Sequence, residues 1–132
     1  MAEAYSYDAI SQLGYLAAKT SRIELGSGVV PIYVRTPSLL AMTAAGLDYV
    51  SDGRFRLGIG TSGPQVMEGW HGVPWGKPLL RTREYVEIVR AGLRRDTVEH
   101  HGEHYDIPLS NGTGLGKPLK LMARPLRADV PI

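Results

Sequence analysis

Two glycine-rich turns hold the residues of this sequence whose types and spacing could bind a ligand. One is Gly58-Ile-Gly-Thr-Ser-Gly63 and the other is Gly26-Ser-Gly28, and each follows a short apolar segment. Glycine at a strand end lets backbone N–H groups approach a phosphate or a flat ring. The first turn has the Gly-x-Gly-x-x-Gly spacing of dinucleotide-binding folds, but a poor helix follows it and no acidic residue ends a following strand. A ligand-binding loop of another α/β fold is therefore favoured, with a purely structural turn as the alternative.

The Gly26-Ser-Gly28 turn has two interpretations that the composition leaves open. Glycine beside the β-branched Val29 and Val30 can host a bulge or a strained peptide next to a ligand. A plain exit from a strand into a loop fits the same residues equally well.

His71 is the histidine whose surroundings best suit acid–base chemistry. It lies between Trp70 and Gly72 in a long loop, residues 60–78, that is rich in glycine and proline. Loops of this length are usually functional or disordered, and aromatic residues argue against disorder. His71 could donate a proton or contact a ring, and a packing or hydrogen-bonding role is the alternative.

Two other groups of residues resemble sites but lack essential parts. His100, His101 and His104 lie among glycine and polar residues with no helical face to bring them together. We interpret them as a solvated loop and predict no metal site. The segment 112–117, Gly-Thr-Gly-Leu-Gly-Lys, lacks the first glycine and the Ser or Thr of a phosphate-binding loop, so a hairpin turn explains it better.

The predicted elements that position these residues alternate between strand and helix. The first is a helix at 8–19 with Ser6 or Asp8 as its cap, followed by a strand at 22–30, a helix from Thr36-Pro37 to Gly53 with Thr36 as its cap, and a strand at 54–59. A helix at 81–95 comes next, then a hairpin of strands at 104–107 and 119–122 around a glycine turn at 111–116, and the start of a strand at 130–132. Alternating strands and helices indicate a parallel sheet. Chemistry in such sheets lies at the carboxyl ends of the strands, which is where the two glycine turns fall.

Composition narrows the class of protein. The 132 residues are 43% hydrophobic and 21% charged, which is typical of one globular domain. The absence of cysteine excludes disulfides and thiolate chemistry. The net charge of +2 is spread along the chain, so we predict no nucleic-acid or membrane partner. We also expect a cytoplasmic protein, because neither a signal-peptide pattern nor a long apolar span is present.

Longer motifs in the chain resemble those of the bacterial luciferase-like monooxygenase superfamily. They are Arg-Ile-Glu-Leu-Gly-Ser-Gly-Val-Val-Pro from Arg22, and Leu-Asp-Tyr-Val-Ser-Asp-Gly-Arg-Phe-Arg-Leu-Gly-Ile-Gly-Thr from Leu47. The segment from Gly60 to Gly72, together with 81–85 and 114–120, resembles the branch that uses the deazaflavin coenzyme F420. This resemblance covers nearly the whole chain and implies an α/β fold of the (β/α)8 TIM-barrel type. The chain would form a partial barrel, roughly strands 2–4 with their helices plus an inserted hairpin, in a single incomplete domain spanning 1–132.

The same resemblance implies where a cofactor binds. A non-prolyl cis peptide that forms a bulge behind the deazaflavin ring matches Gly28-Val29. Ser27, next to this peptide, is included among the residues expected to bind the cofactor. The next strand end, which contacts the cofactor tail, matches Gly60, Thr61, Ser62 and Gly63. Glu3 falls where the preceding strand ends, at the rim of the pocket. Ala4 stands where some members carry a catalytic histidine, so that role does not transfer directly to this chain. Glu3, from the resemblance, and His71, from its own surroundings, are the candidate catalytic residues.

The implied function is hydride transfer between reduced coenzyme F420 and a small organic substrate, with no metal. Two alternatives stay open: an FMN-dependent monooxygenase of the same superfamily, and an inactive truncated chain that acts only as an oligomerising or partner-binding module. Members of the superfamily are more than twice as long as this chain. We therefore expect the front half of such an oxidoreductase, or a chain that associates with its own copies or with a complementing chain.

Overall fold

A computed structural model describes all of the residues, 1–132. Four helices and six short strands follow one another along the chain. The helices are α1 (Ala9–Lys19), α2 (Pro37–Val50), α3 (Pro64–Gly69) and α4 (Pro78–Arg94). The strands are β1 (Leu25–Gly26), β2 (Val30–Pro31), β3 (Phe55–Arg56), β4 (Ile59–Gly60), β5 (His100–His101) and β6 (Asp106–Ile107).

The two predicted strands lie side by side and run parallel, as the alternation of elements predicted. Leu25 of β1 pairs with Phe55 of β3, and Val30 of β2 pairs with Ile59 of β4. Each predicted continuous strand is nevertheless split by a break in the hydrogen-bond ladder. Three residues separate β1 from β2, whereas two separate β3 from β4, so the first strand contains one extra residue. This extra residue forms a bulge, which was one of the two interpretations that the composition left open.

The helix starts confirm the predictions made from capping residues. The Asp8 side chain accepts a hydrogen bond from the Ser11 N–H at 2.7 Å, one turn into α1. The Thr36 hydroxyl caps α2, and Pro37 occupies the first helical position. Helix α4 begins three residues earlier than predicted, because Pro78 also starts a helix without losing a hydrogen bond.

A single apolar core lies between the helices and the parallel strands. Leu13 of α1, Leu40 of α2, Phe55 of β3 and Val89 of α4 are all fully buried in it. Val130 joins this core, and the Leu57 N–H donates to the Pro131 carbonyl oxygen at 2.8 Å. The chain end therefore lies beside the central strands where a further strand was predicted to begin, although it forms no regular ladder.

The predicted hairpin between 104–107 and 119–122 is wrong. Strand β6 instead pairs antiparallel with β5, and residues 111–123 contain no strand. The physical reason is the Glu84 carboxylate on α4, which accepts hydrogen bonds from three consecutive N–H groups of the tight turn at 103–105, at 3.0, 3.0 and 3.2 Å. A local sequence pattern does not reveal a turn that is closed by a side chain about twenty residues away.

The interpretation of the three histidines as a solvated loop is also wrong. His100 and His101 form β5, and His100 and His104 are partly buried. The His101 Nδ1 atom lies 2.6 Å from an Asp106 carboxylate oxygen across the hairpin. These contacts are those of a packed hairpin on the outer side of α4. No helix of the chain combines the length and the hydropathy needed to cross a bilayer.

Candidate functional site

The bulge between β1 and β2 depends on a very close approach of the two strands. A Cβ atom on Gly58 would lie 1.9 Å from the Ser27 carbonyl oxygen, so only glycine fits at this position. The Ser27 hydroxyl donates a hydrogen bond to the Gly58 carbonyl oxygen at 2.8 Å and accepts one from the Gly58 N–H at 2.9 Å. The Gly28–Val29 peptide bond is cis, as the resemblance implied.

Val29 is the side chain that the bulge leaves accessible. It is 37% exposed, whereas Ser27 is only 8% exposed. A Cβ atom on Gly60 would lie 2.7 Å from Val29 Cγ2, so the valine rests against bare glycine backbone of the neighbouring strand end. An apolar branched surface beside accessible backbone groups is typical of a site that binds a flat ring.

The predicted tail-binding residues follow β4 as one turn that is tied back to its neighbours. Ser62 has a φ of 53°, in the left-handed region that few residues other than glycine adopt. The indole N–H of Trp75 donates to the Thr61 carbonyl oxygen at 3.1 Å. The Trp75 carbonyl oxygen in turn accepts a hydrogen bond from the Tyr33 hydroxyl, just beyond β2. The segment 60–78, predicted as one loop, therefore contains the short helix α3 and is tied by these hydrogen bonds to the ends of both strands.

Glu3 lies at the same strand ends, as predicted. Its backbone N–H donates to the Val29 carbonyl oxygen at 3.2 Å, so the segment before α1 runs beside the bulge. The carboxylate is largely buried and is fully engaged: it accepts from the Ala9 N–H at 2.8 Å and forms a two-point salt bridge with Arg35. This arrangement is that of a fixed structural anion at the rim, with Arg35 holding it in place.

Arg35 also binds Asp8, which links the first two strand–helix units by charge. The distance between Arg35 Nη2 and the Asp8 carboxylate is 2.6 Å. Burial acts to raise the pKa of the Asp8 carboxyl, but hydrogen bonds from Ser11 and the charge of Arg35 outweigh it and hold that pKa below its usual value. Asp8 is therefore ionised and paired with Arg35 at neutral pH.

His71 lies in the same long loop, two residues after α3. Its backbone N–H donates to the Val66 carbonyl oxygen at 3.2 Å, and its Nε2 atom is shielded from solvent without a hydrogen-bond partner in the protein. His100 and His104 also each have a shielded Nε2 atom without a hydrogen-bond partner, but they lie in the outer hairpin and not in the segment that follows β4. The structure does not pair His71 with Glu3 or with any other side chain, so the two candidate catalytic residues do not form a dyad.

A group of tyrosines that was not predicted from the sequence packs around Arg81 near the carboxyl end of β2. The Arg81 guanidinium carbon lies 4.8 Å from the centre of the Tyr33 ring and 5.7 Å from that of Tyr105. The Tyr85 hydroxyl, whose pKa burial raises, donates to the Arg35 carbonyl oxygen at 3.0 Å. The position of Tyr33 two residues after β2 was the one clue in the sequence, because side chains just beyond a strand end face the loops of that end.

A wide cavity lies elsewhere in the structure. It has a volume of about 630 Å³ and lies between α2, α4 and the segment 117–123, and no predicted site residue lines it. In an α/β sheet the carboxyl ends of the strands are the usual ligand site, so we place more weight on the bulge and its neighbouring turn than on cavity size. The structure brings Ser27, Gly28 and Val29 together with the turn at 60–63 and with Glu3.

Parallel strands alternating with helices, and a site at their carboxyl ends, define part of a (β/α)8 barrel. The barrel is not closed in this chain. The chain belongs to the luciferase-like monooxygenase family, whose model matches residues 1–126.

One relative in Mycobacterium tuberculosis is 49% identical over 134 residues, and its name assigns it provisionally as a coenzyme F420-dependent oxidoreductase. The match covers 99% of this chain and 39% of that protein. The chain thus spans about two fifths of the length of this relative.

Solved luciferase-like TIM-barrel structures have the same fold. The coenzyme F420-dependent tetrahydromethanopterin reductase of Methanopyrus kandleri matches with a TM-score of 0.73 and 26% identity, over 88% of this chain and 36% of its own. The monooxygenase RslO1 of Streptomyces bottropensis matches with a TM-score of 0.80 and 25% identity, over 98% of this chain and 39% of its own. The relatives thus include both coenzyme F420-dependent enzymes and a monooxygenase.

Proposed function

We propose that this chain forms the ring-binding part of a coenzyme F420-dependent oxidoreductase that transfers a hydride between the reduced cofactor and a small organic substrate. The observation that carries the proposal is the bulge, which presents Val29 beside the open backbone of Gly60. The 49% identity to the mycobacterial relative favours the deazaflavin over other cofactors.

The residues present fit a flat tricyclic ring and a polar tail. Val29 and the Gly28 backbone would support one face of the ring, and the absence of a side chain at Gly60 lets Val29 lie against the neighbouring strand end. The turn at Thr61, Ser62 and Gly63 would hold the tail through its backbone N–H groups. When bound, the deazaflavin supplies the hydride chemistry, and the protein binds, orients and excludes water.

The two candidate catalytic residues differ in what supports them. Glu3 is held by Arg35 and by the start of α1, which suits a residue that shapes the rim and keeps a negative charge beside the ring. His71 has a free buried ring nitrogen, which suits a proton donor or acceptor once a substrate is present. We therefore propose His71 as the acid–base residue and Glu3 as a charge at the rim.

The test is a titration of the purified chain with coenzyme F420, FMN and NAD, followed by fluorescence and isothermal calorimetry. We expect saturable binding of coenzyme F420, weaker binding of FMN and none of NAD. Binding of FMN in preference to the deazaflavin would replace the proposal by its nearest alternative, a monooxygenase, which the match to RslO1 favours. Binding of none of the three by a folded chain would contradict both proposals.

An oligomer or a complementing chain remains the prediction for partners. Helix α2 is apolar on most of its circumference, and Leu39, Met42, Tyr49 and Val50 are exposed on its outer side. A helix that is hydrophobic all round is usually covered. Sedimentation velocity would show whether the chain is monomeric, and a monomer that binds cofactor would contradict this prediction.

A further inference from the structure

The Ser27 hydroxyl occupies a gap in the hydrogen-bond ladder between the two strand ends. Regular pairing stops at Gly26 and Arg56 and resumes at Val30 and Ile59. Within this gap the Ser27 side chain makes two hydrogen bonds to one residue of the other strand, one to each backbone polar group. The Gly58 carbonyl oxygen also accepts from the Val30 N–H at 2.9 Å, whereas for the Gly58 N–H the side chain supplies the bond that a regular strand would supply with its backbone.

The Gly58 N–H depends on this hydroxyl. Ser27 Oγ is its only acceptor in the protein, and Ser27 itself is nearly fully buried. A buried N–H group without an acceptor is costly, so loss of the hydroxyl would force the bulge or the glycine to move.

The backbone connects the contact between Ser27 and Gly58 to the exposed Val29. Val29 lies two residues beyond Ser27, its carbonyl oxygen accepts from the Glu3 N–H, and its Cγ2 lies where a Gly60 side chain would be. A shift of Ser27 relative to Gly58 therefore shifts Val29 relative to Gly60.

We propose that Ser27 is a positioning residue, whose hydroxyl sets the place of Val29 against Gly60 without itself touching the cofactor. This differs from the sequence-based prediction, in which Ser27 contacts the cofactor directly. The consequence for cofactor binding depends on the proposed function, whereas the placement of Val29 does not.

The experiment compares three variants of the full chain. Ser27→Ala removes the hydroxyl, Ser27→Thr retains it, and Ser51→Ala removes a buried hydroxyl at the far end of α2, where it donates to the Asp48 carbonyl oxygen. The first readout is NMR: hydrogen exchange of the Gly58 amide and the chemical shifts of the Val29 methyl groups. In Ser27→Ala we expect Gly58 exchange to rise about tenfold or more and the Val29 signals to move. We expect Ser27→Thr to restore both, and Ser51→Ala to leave both unchanged.

The second readout is affinity for coenzyme F420 and for FMN. We expect Ser27→Ala, which removes both hydrogen bonds to Gly58, to weaken the better ligand about tenfold, with recovery in Ser27→Thr. Ser51→Ala should lower the melting temperature but not the affinity, which separates positioning from general loss of stability.

Two results would overturn the inference. One is a Ser27→Ala chain with unchanged Val29 signals, and the other is an equal loss of affinity in Ser27→Ala and Ser51→Ala. If the wild-type chain binds neither coenzyme F420 nor FMN, the proposed function fails, and the NMR readout alone decides the role of Ser27.

Discussion

The two strand ends share a sequence pattern but differ in structure. The segments Arg22 to Gly28 and Arg54 to Gly60 both read Arg-φ-x-Leu-Gly-x-Gly, where φ is a large apolar residue. The first contains an extra residue that exposes Val29, whereas the second has glycines that make room for it. The same pattern thus produces a convex surface on one strand and a matching open backbone on its neighbour. Two similar sequences therefore adopt different conformations, because the conformation of each strand end depends on its contacts with the other.

The largest expected effect comes from adding a side chain at Gly58, where the second strand end lies against the first. Gly58→Ala places a Cβ atom within 1.9 Å of a backbone oxygen, which no side-chain motion can relieve. We expect a loss of about 3 kcal/mol or more in the free energy of unfolding, measured by urea denaturation. Gly46→Ala is the matched control, because a Cβ atom there on α2 meets nothing within 4 Å. That variant should be neutral or more stable by up to about 1 kcal/mol. A Gly58→Ala chain as stable as wild type would refute the close approach.

The two arginines that begin the shared pattern should differ almost as much. Arg54 donates five hydrogen bonds, four of them to carbonyl oxygens, including those of Ala17 and Thr20 at the end of α1. Arg22, at the matching position, is exposed. We expect Arg54→Ala to cost about 2 to 3 kcal/mol in thermal or urea unfolding, and Arg22→Ala less than about 0.5 kcal/mol. An equal loss of unfolding free energy in the two variants would contradict the assignment of the hydrogen-bond network to Arg54 alone.

A smaller effect tests the contact between the two ends directly. Gly60→Ala pushes against Val29 Cγ2, the end of a side chain that can be removed. We expect Gly60→Ala to cost about 1 to 2 kcal/mol in the wild-type background and much less in a Val29→Ala background. Additive costs in this double-mutant cycle would mean that the two residues do not touch.

The smallest expected effect is a pH dependence of the free energy of unfolding that arises from Asp8, which is paired with Arg35 beside the first strand end. The pKa of Asp8 is lower in the folded chain than its usual value, so the unfolded state binds a proton more readily. The stabilisation is fully present above the unfolded pKa, near pH 4, and is lost as the pH falls through the folded pKa. Because Asp8 is partly exposed, we expect less than about 1 kcal/mol.

The matched variant for this pH dependence is Asp8→Asn, which removes the titrating group but retains a helix cap. Its unfolding free energy should fall less between pH 6 and pH 3 than that of the wild type. Identical pH profiles for the two chains would argue against a lowered pKa of Asp8 in the folded chain.

Local residues predicted most of the fold, and distant contacts explain what they missed. The caps of α1 and α2 were predictable because Asp8 and Thr36 act on the next turn of the same helix. The outer hairpin was not, because its turn is closed by Glu84 from another element. The glycine turns indicated where the site lies, since glycine at a strand end is visible in the sequence.

The contacts that hold the site together could not be predicted from the sequence. The hydroxyl of Ser27 and the backbone of Gly58 are 31 residues apart, and their contact depends on the register of two strands. The engagement of Glu3 with Arg35 likewise joins residues 32 positions apart. The resemblance to luciferase-like proteins supplied candidates for the site, but only the packed structure separates a residue that supports the bulge from one that presents a surface.

The central claim is that the two strand ends form one ring-binding surface. The most direct test is a titration of the isotope-labelled chain with coenzyme F420, with the amide and methyl signals followed by NMR. We predict saturable shifts at Val29 and at Gly60 to Gly63, and none at Met42 or Leu119 in the large cavity. Shifts confined to that cavity, or none at the strand ends of a folded chain, would contradict the account.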